Sequence, residues 1–214
     1  MMEKRLEFLI KENPKDFIDQ KSFKSFGNFL HGYSYCHYEN NIHDSDHWNG
    51  FQEYIEDKYN SHTTHGWFDL IDFYSDNDEE AFDNFFKIFE DFLLLPKKNP
   101  YMHYVNEEPR PSNYELLKRI YKRPPLYLGE KSFRNLYEFL NGYIYCCKTY
   151  NLEETIHLDE FEKYLQQKNK IENRPWNKII IFWSVGDVNA FENFYKEYSE
   201  FLKIKYNIDF SYKE

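Results

Sequence analysis

The feature that most constrains the fold is a match of the chain to itself. Displaced by 110 positions, Leu6 meets Leu116, Ile10 meets Ile120, Pro14 meets Pro124, and Lys21-Ser22-Phe23 meets Lys131-Ser132-Phe133. The match runs on through Phe29-Leu30, Gly32-Tyr33 and Tyr35-Cys36 against Phe139-Leu140, Gly142-Tyr143 and Tyr145-Cys146. It then takes in His47 with His157, Phe51 with Phe161, and Tyr54 with Tyr164. After a one-residue deletion the displacement is 109, and Trp67, Ile71, Phe82, Asn84, Phe85 and Leu93 meet Trp176, Ile180, Phe191, Asn193, Phe194 and Leu202. So ordered a self-match predicts a tandem duplication. Its boundaries are repeat one over about 1–95, a linker over 96–112, and repeat two over 113–214.

Each repeat reads as helical. Phe23, Phe26, Phe29 and Leu30 recur at spacings of three and four behind Ser22, the stripe of an amphipathic helix, and Ser132 opens the matched run. Phe51, Tyr54 and Ile55 form a second stripe. The segments WFDLIDFY and WNKIIIFW are ambiguous. Helical spacing joins Trp67, Leu70, Ile71 and Tyr74, whereas strict alternation would put Asp69 on the buried face. The expected fold is all-α, two copies of a four- to five-helix unit packed as a pseudo-dimer; the alternative is α+β, with short strands at 67–74 and 176–183. Ser75 and Ser184 are expected to cap the long helix that closes each repeat. Gly32 and Gly142 interrupt good helix formers, which implies either a close helix crossing or a local break. At the matched pair Asp72 and Ile181, Ile181 is expected to be buried if Asp72 is exposed.

Composition excludes several classes. Of 214 residues 41% are hydrophobic and 21% aromatic, far too rich for a disordered chain. No run of about 18 uncharged apolar residues exists, and MMEKRLEFLIKENPKDF lacks the apolar core of a signal peptide, so no membrane association and a cytoplasmic location are expected. Cys36, Cys146 and Cys147 form no metal-ligand spacing and read as reduced, buried thiols. A net charge of −10 argues against nucleic acid as a partner, because that binding runs on neutralisation of phosphates by Lys and Arg.

Residues 115–142 carry Arg123-Pro124, Tyr127-Leu128-Gly129, Ser132, Phe139-Leu140 and Gly142-Tyr143. This stretch resembles an uncharacterised bacterial family with an RPxxYLGxxS…FLxGY signature. The first repeat keeps the pattern in degraded form, with Asn13 at the place of Arg123 and Asp19 at that of Gly129. The resemblance implies a small helical protein sometimes encoded near toxin genes, and it brings no activity or site residues. KRPPLYLGE is also similar to the RPGMYIG segment of gyrase B type ATPases. Those enzymes need further acidic and glycine-rich motifs, and a chain with 7 Gly has nothing like DxGxG.

No phosphate-binding loop, dinucleotide fingerprint, HExxH or GxSxG occurs, so no cofactor and no catalytic residue is expected. His43-Asp44-Ser45-Asp46-His47 would ligate a transition metal if helical spacing aligned its two imidazoles, the basis of an alternative reading as a metal-dependent enzyme. Only His47 has a counterpart, His157, and Asp44, Ser45 or Asp46 capping a helix near Trp48 explains the cluster without metal.

The two repeats carry charge unequally. Residues 1–110 hold 22 acids and 11 bases, whereas 111–214 hold 15 acids and 16 bases. Within 39–91 there are 15 acids against Lys58 and Lys87 alone. Because the sister repeat folds without this excess, the excess is available for recognition. The leading expectation is an immunity-type binding protein that neutralises a basic toxin, such as a nuclease, by occlusion. Asp44, Asp46, Glu53, Glu56, Asp57, Asp69, Asp72 and Asp76 would supply the electrostatic contacts, and Trp48 and Trp67 the aromatic anchors. A solvated acidic face, or a scaffold with no ligand, are the other readings.

Overall fold

A computed structural model describes residues 5–42, 46–96, 113–153 and 156–213. Among them there are eleven α-helices and no strand. In chain order these are α1 (Leu6–Glu12), α2 (Phe23–Glu39), α3 (Phe51–Tyr59), α4 (Trp67–Phe73) and α5 (Asp78–Leu93), followed by α6 (Asn113–Lys122), α7 (Pro124–Leu128), α8 (Phe133–Thr149), α9 (Leu158–Asn169), α10 (Trp176–Phe182) and α11 (Asp187–Tyr206). The strand alternative at 67–74 and 176–183 is thereby corrected. Both segments are helices, because Leu70 and Ile71, and likewise Ile179 and Ile180, turn inward as neighbours, while Asp69 faces out.

Positions 110 or 109 apart hold corresponding helices in the same order, except that α7 is matched by a 3-10 turn at Pro14–Asp16, and the correspondence extends to interactions at their starts. The Ser22 Oγ accepts the Ser25 amide, and the Ser132 Oγ the Asn135 amide, each at 3.1 Å. The backbone amides of Lys24 and Arg134 donate to Asp78 and Asp187 at 3.0 and 3.2 Å, tying α2 to α5 and α8 to α11. Lys21 reaches Asp83 over the Phe82 ring, and Lys131 reaches Glu192 over the Phe191 ring.

Two expected caps differ. Ser75 and Ser184 close α4 and α10 instead, donating to the Ile71 and Ile180 carbonyls at 2.8 and 2.6 Å. Asn77 caps α5, and α11 starts behind Gly186 with no side-chain cap. Near Trp48 the chain makes a 3-10 turn at Asp46–Trp48, and α3 begins at Phe51 behind Gly50, whose φ of 84° is left-handed. His43, Asp44 and Ser45 lie outside the described residues.

Each half buries its own aromatic core, centred on Phe26, Phe85 and Phe89 in the first and on Phe161, Phe194 and Tyr198 in the second. The halves join where α2 crosses α8. A Cβ on Gly32 would lie 1.9 Å from the Phe139 carbonyl oxygen, and one on Gly142 would lie 1.9 Å from that of Phe29. Only glycine lets the backbones approach this far. The contact is reciprocal, as a local two-fold relation requires. Tyr35 correspondingly packs on Tyr127 and Phe139, and Tyr145 on Phe17 and Phe29. The thiols of Cys36 and Cys147 meet at 3.8 Å in the same crossing, buried and without a disulfide.

Candidate functional site

A crossing with local two-fold character generates two equivalent seams between the halves, and sequence differences close one and open the other. The closed seam lies between the chain before α2 and helices α8 and α10, and holds a cavity of only about 30 Å³. Tyr137 fills it, packed on Trp176 at 5.3 Å. The Asp19 amide donates to Glu138 Oε1 at 2.9 Å, and Lys178 Nζ reaches Asp19 Oδ2 at 2.7 Å. Burial pushes the Glu138 carboxyl up to about 7, helped by the neighbouring Asp19 charge and opposed by the Asp19 amide.

At the matched positions of the other seam each closing group is missing. Gly27 stands for Tyr137, Asn28 for Glu138, Gly129 for Asp19, Asp69 for Lys178 and Asp72 for Ile181. Phe68 folds over Gly27 and stacks on Phe23 at 4.3 Å, and beyond it an open cleft of about 1560 Å³ remains. Its charged walls carry the carboxylates of Glu7, Asp69, Asp72 and Glu130 against the cations of Arg5 and Lys24. His31 also borders the cleft, and burial holds its imidazole below the usual range, against a hydrogen bond to the Tyr127 backbone that raises it. Asp72 and Ile181 are both half-buried, so the condition of an exposed Asp72 is not met: each faces its seam, one wide and one narrow.

Deep in the cleft wall lies a polar knot that sequence reading missed. Glu7 is 3% exposed. Its Oε1 lies 3.0 Å from His47 Nε2 and accepts the Trp48 indole N–H at 2.9 Å, while Oε2 is buried with no hydrogen-bond partner among the described residues. A buried acceptor left unmade costs about 1–3 kcal/mol. The second half has no such knot, because Leu117 and Leu158 occupy the positions matched to Glu7 and Trp48, both buried. The signal for Glu7 was a carboxylate interrupting an apolar helix stripe that its counterpart keeps.

Of the ten residues expected to bind a partner, the fold brings Asp69, Asp72, Trp48 and Trp67 to the cleft. The two indoles are not free anchors as expected. They are half-buried, stacked with centroids 5.4 Å and planes 28° apart, and much of their surface packs on Phe51, Phe85 and Phe89. Glu53, Glu56 and Asp57 sit on α3 away from the cleft lining, where Glu56 accepts from Gln52 at 2.7 Å. Asp76 is exposed in the turn before α5. Asp44 lies outside the described residues, and of Asp46 only the backbone turn is described. Among the described residues no three His, Cys, Asp or Glu side chains are grouped as metal ligands, and His43 falls outside them.

The geometry defines an all-α protein with an acidic, aromatic cleft between two similarly built halves. Among the described residues no helix is long and apolar enough to cross a membrane. Comparison with protein-family models, with curated proteins and with solved structures gives no match.

Proposed function

We propose that the protein works by stoichiometric binding of a basic protein partner, seating a cationic segment of it in the cleft, in the manner of an immunity protein that masks a toxin domain such as a nuclease. The observation that carries this reading is the contrast of the two seams. Where the second half supplies Lys178, the first supplies Asp69, so one seam is latched shut and the other is left open and acidic. Occlusion asks for no catalytic group and no cofactor. Repulsion among the acids of residues 39–91 is relieved when a basic surface docks, which also speeds encounter and makes it salt-dependent.

The test is co-purification with a basic toxin domain encoded beside this chain, repeated across a salt series. Binding that weakens steeply with salt, and is lost on joint charge reversal of Glu53, Asp69 and Asp72, supports the reading. Retained binding by the triple reversal contradicts it.

A further inference from the structure

We propose that Glu7, with the indoles of Trp48 and Trp67 beside it, is a guanidinium-binding site in the cleft wall, made to take an arginine side chain. This rests on the reading of the cleft as the seat of a basic partner and names the chemistry that reading requires. Three observations carry it. The Glu7 carboxylate is buried but half used, since His47 and Trp48 both bond Oε1 and Oε2 has no hydrogen-bond partner among the described residues. The fold does not need a carboxylate there, because Leu117 fills the matched place in the second half. Glu7, Trp48 and Trp67 all border the open cleft, and the two rings stack with their planes 28° apart and are only half-buried.

A carboxylate oxygen beside an aromatic face suits a guanidinium better than an ammonium. The planar fork donates to the oxygen while its face lies on the ring, and it sheds water more easily. Arg5 borders the same cleft but makes no ion pair with Glu7, so among the described residues no cation of the chain occupies the site.

The four tryptophans make the test direct, because each indole N–H gives its own resonance. Titration of the full chain with N-acetyl-argininamide is expected to shift the Trp48 and Trp67 signals saturably. Trp176, buried in the second half, should not move, and exposed Trp183 reports nonspecific stacking. The neutral isostere N-acetyl-citrullinamide should leave Trp48 and Trp67 unmoved, a comparison that needs no variant. Glu7→Gln should weaken the argininamide response about tenfold or more, the expected penalty for removing one partner of a desolvated charge pair. An equal response to the citrulline analogue, an undiminished response in Glu7→Gln, or no response overturns the site.

An arginine-rich peptide, titrated in parallel, separates a partner's side chain from a free small molecule as the ligand. A peptide that binds wild type and Glu7→Gln equally overturns this site while leaving the basic-partner reading intact. A site that takes argininamide but refuses the peptide supports the site and sinks the partner reading.

Discussion

Lys178 Nζ lies 2.7 Å from Asp19 Oδ2, so a helix of the second half is pinned to a loop of the first. The residue matched to Lys178 is Asp69, the residue matched to Asp19 is Gly129, and between those two the molecule is open. A single reversal of charge at matched positions thus accompanies the difference between a latched seam and a cleft.

The latch itself is weakly stabilising. Both side chains are substantially exposed, at 47% and 30%, so solvent screens the pair. Lys178→Asp, which installs the residue found at 69, is expected to lower unfolding stability by about 1 kcal/mol or less. Urea denaturation measures it. The cleft on the opposite side should keep its ligand affinity.

The glycine crossing is far less tolerant. Alanine is intrinsically better than glycine in a helix by about 1 kcal/mol. Gly32→Ala and Gly142→Ala are nevertheless expected to destabilise by about 1–3 kcal/mol or more, since each new Cβ meets a backbone carbonyl that cannot step aside. Gly27→Ala first meets the Phe68 ring, a side chain that can shift, and should cost less. Thermal melts of the three variants give the order.

Glu138 makes the fold acid-favoring in one window. Its carboxyl is pushed from an ordinary value of 4.5 to about 7, so the folded state holds its proton more tightly than the unfolded state does. Its contribution is therefore fully present below about pH 4.5 and is lost as pH rises through 7, on the order of 3 kcal/mol in all. Glu138→Gln keeps an acceptor for the Asp19 amide and removes the titration. The variant should gain stability over wild type at pH 8 and match it near pH 4.5, as read from denaturant midpoints at the two pH values.

Glu7 and Leu117 occupy matched places in α1 and α6, and exchanging their chemistry should be asymmetric. Glu7→Leu removes a half-satisfied buried carboxylate but strands the Trp48 indole N–H, and is expected to cost about 1–2 kcal/mol. Leu117→Glu buries a carboxylate with no donors prepared for it and should cost about 3 kcal/mol or more. Chemical denaturation of the two variants checks the pair.

Much of this was legible in the chain, and what was not has a physical cause. The helical class followed from apolar spacing at Phe23, Phe26, Phe29 and Leu30, and the serines that open that helix pair, Ser22 and Ser132, each accept a first-turn amide. Gly32 and Gly142 left a crossing and a break open, and backbone contact decided for the crossing. Ser75 and Ser184 misled because a hydroxyl between two helices can donate back to the one before it as readily as accept from the one after. The site was half legible. Asp69 and Asp72 stood out against Lys178 and Ile181, but Gly27 and Gly129 shape the cleft by lacking side chains, and an absent side chain gains meaning only when the opposing wall is known. Glu7 was hidden because its partners, His47 and Trp48, come 40 and 41 residues later.

The central claim is that the cleft, rather than net negative charge, recognises a basic partner. It is tested most directly by calorimetric titration of an arginine-rich peptide into two variants of opposite design. Asp69→Lys with Asp72→Ile gives the cleft the residues of the closed seam, while Glu53→Lys with Asp76→Val makes the matched exchanges outside it. The account predicts that the first pair abolishes measurable binding and the second leaves affinity within about threefold of wild type, a difference of less than 1 kcal/mol. Equal losses in both variants, or binding that survives the exchange at Asp69 and Asp72, would contradict it.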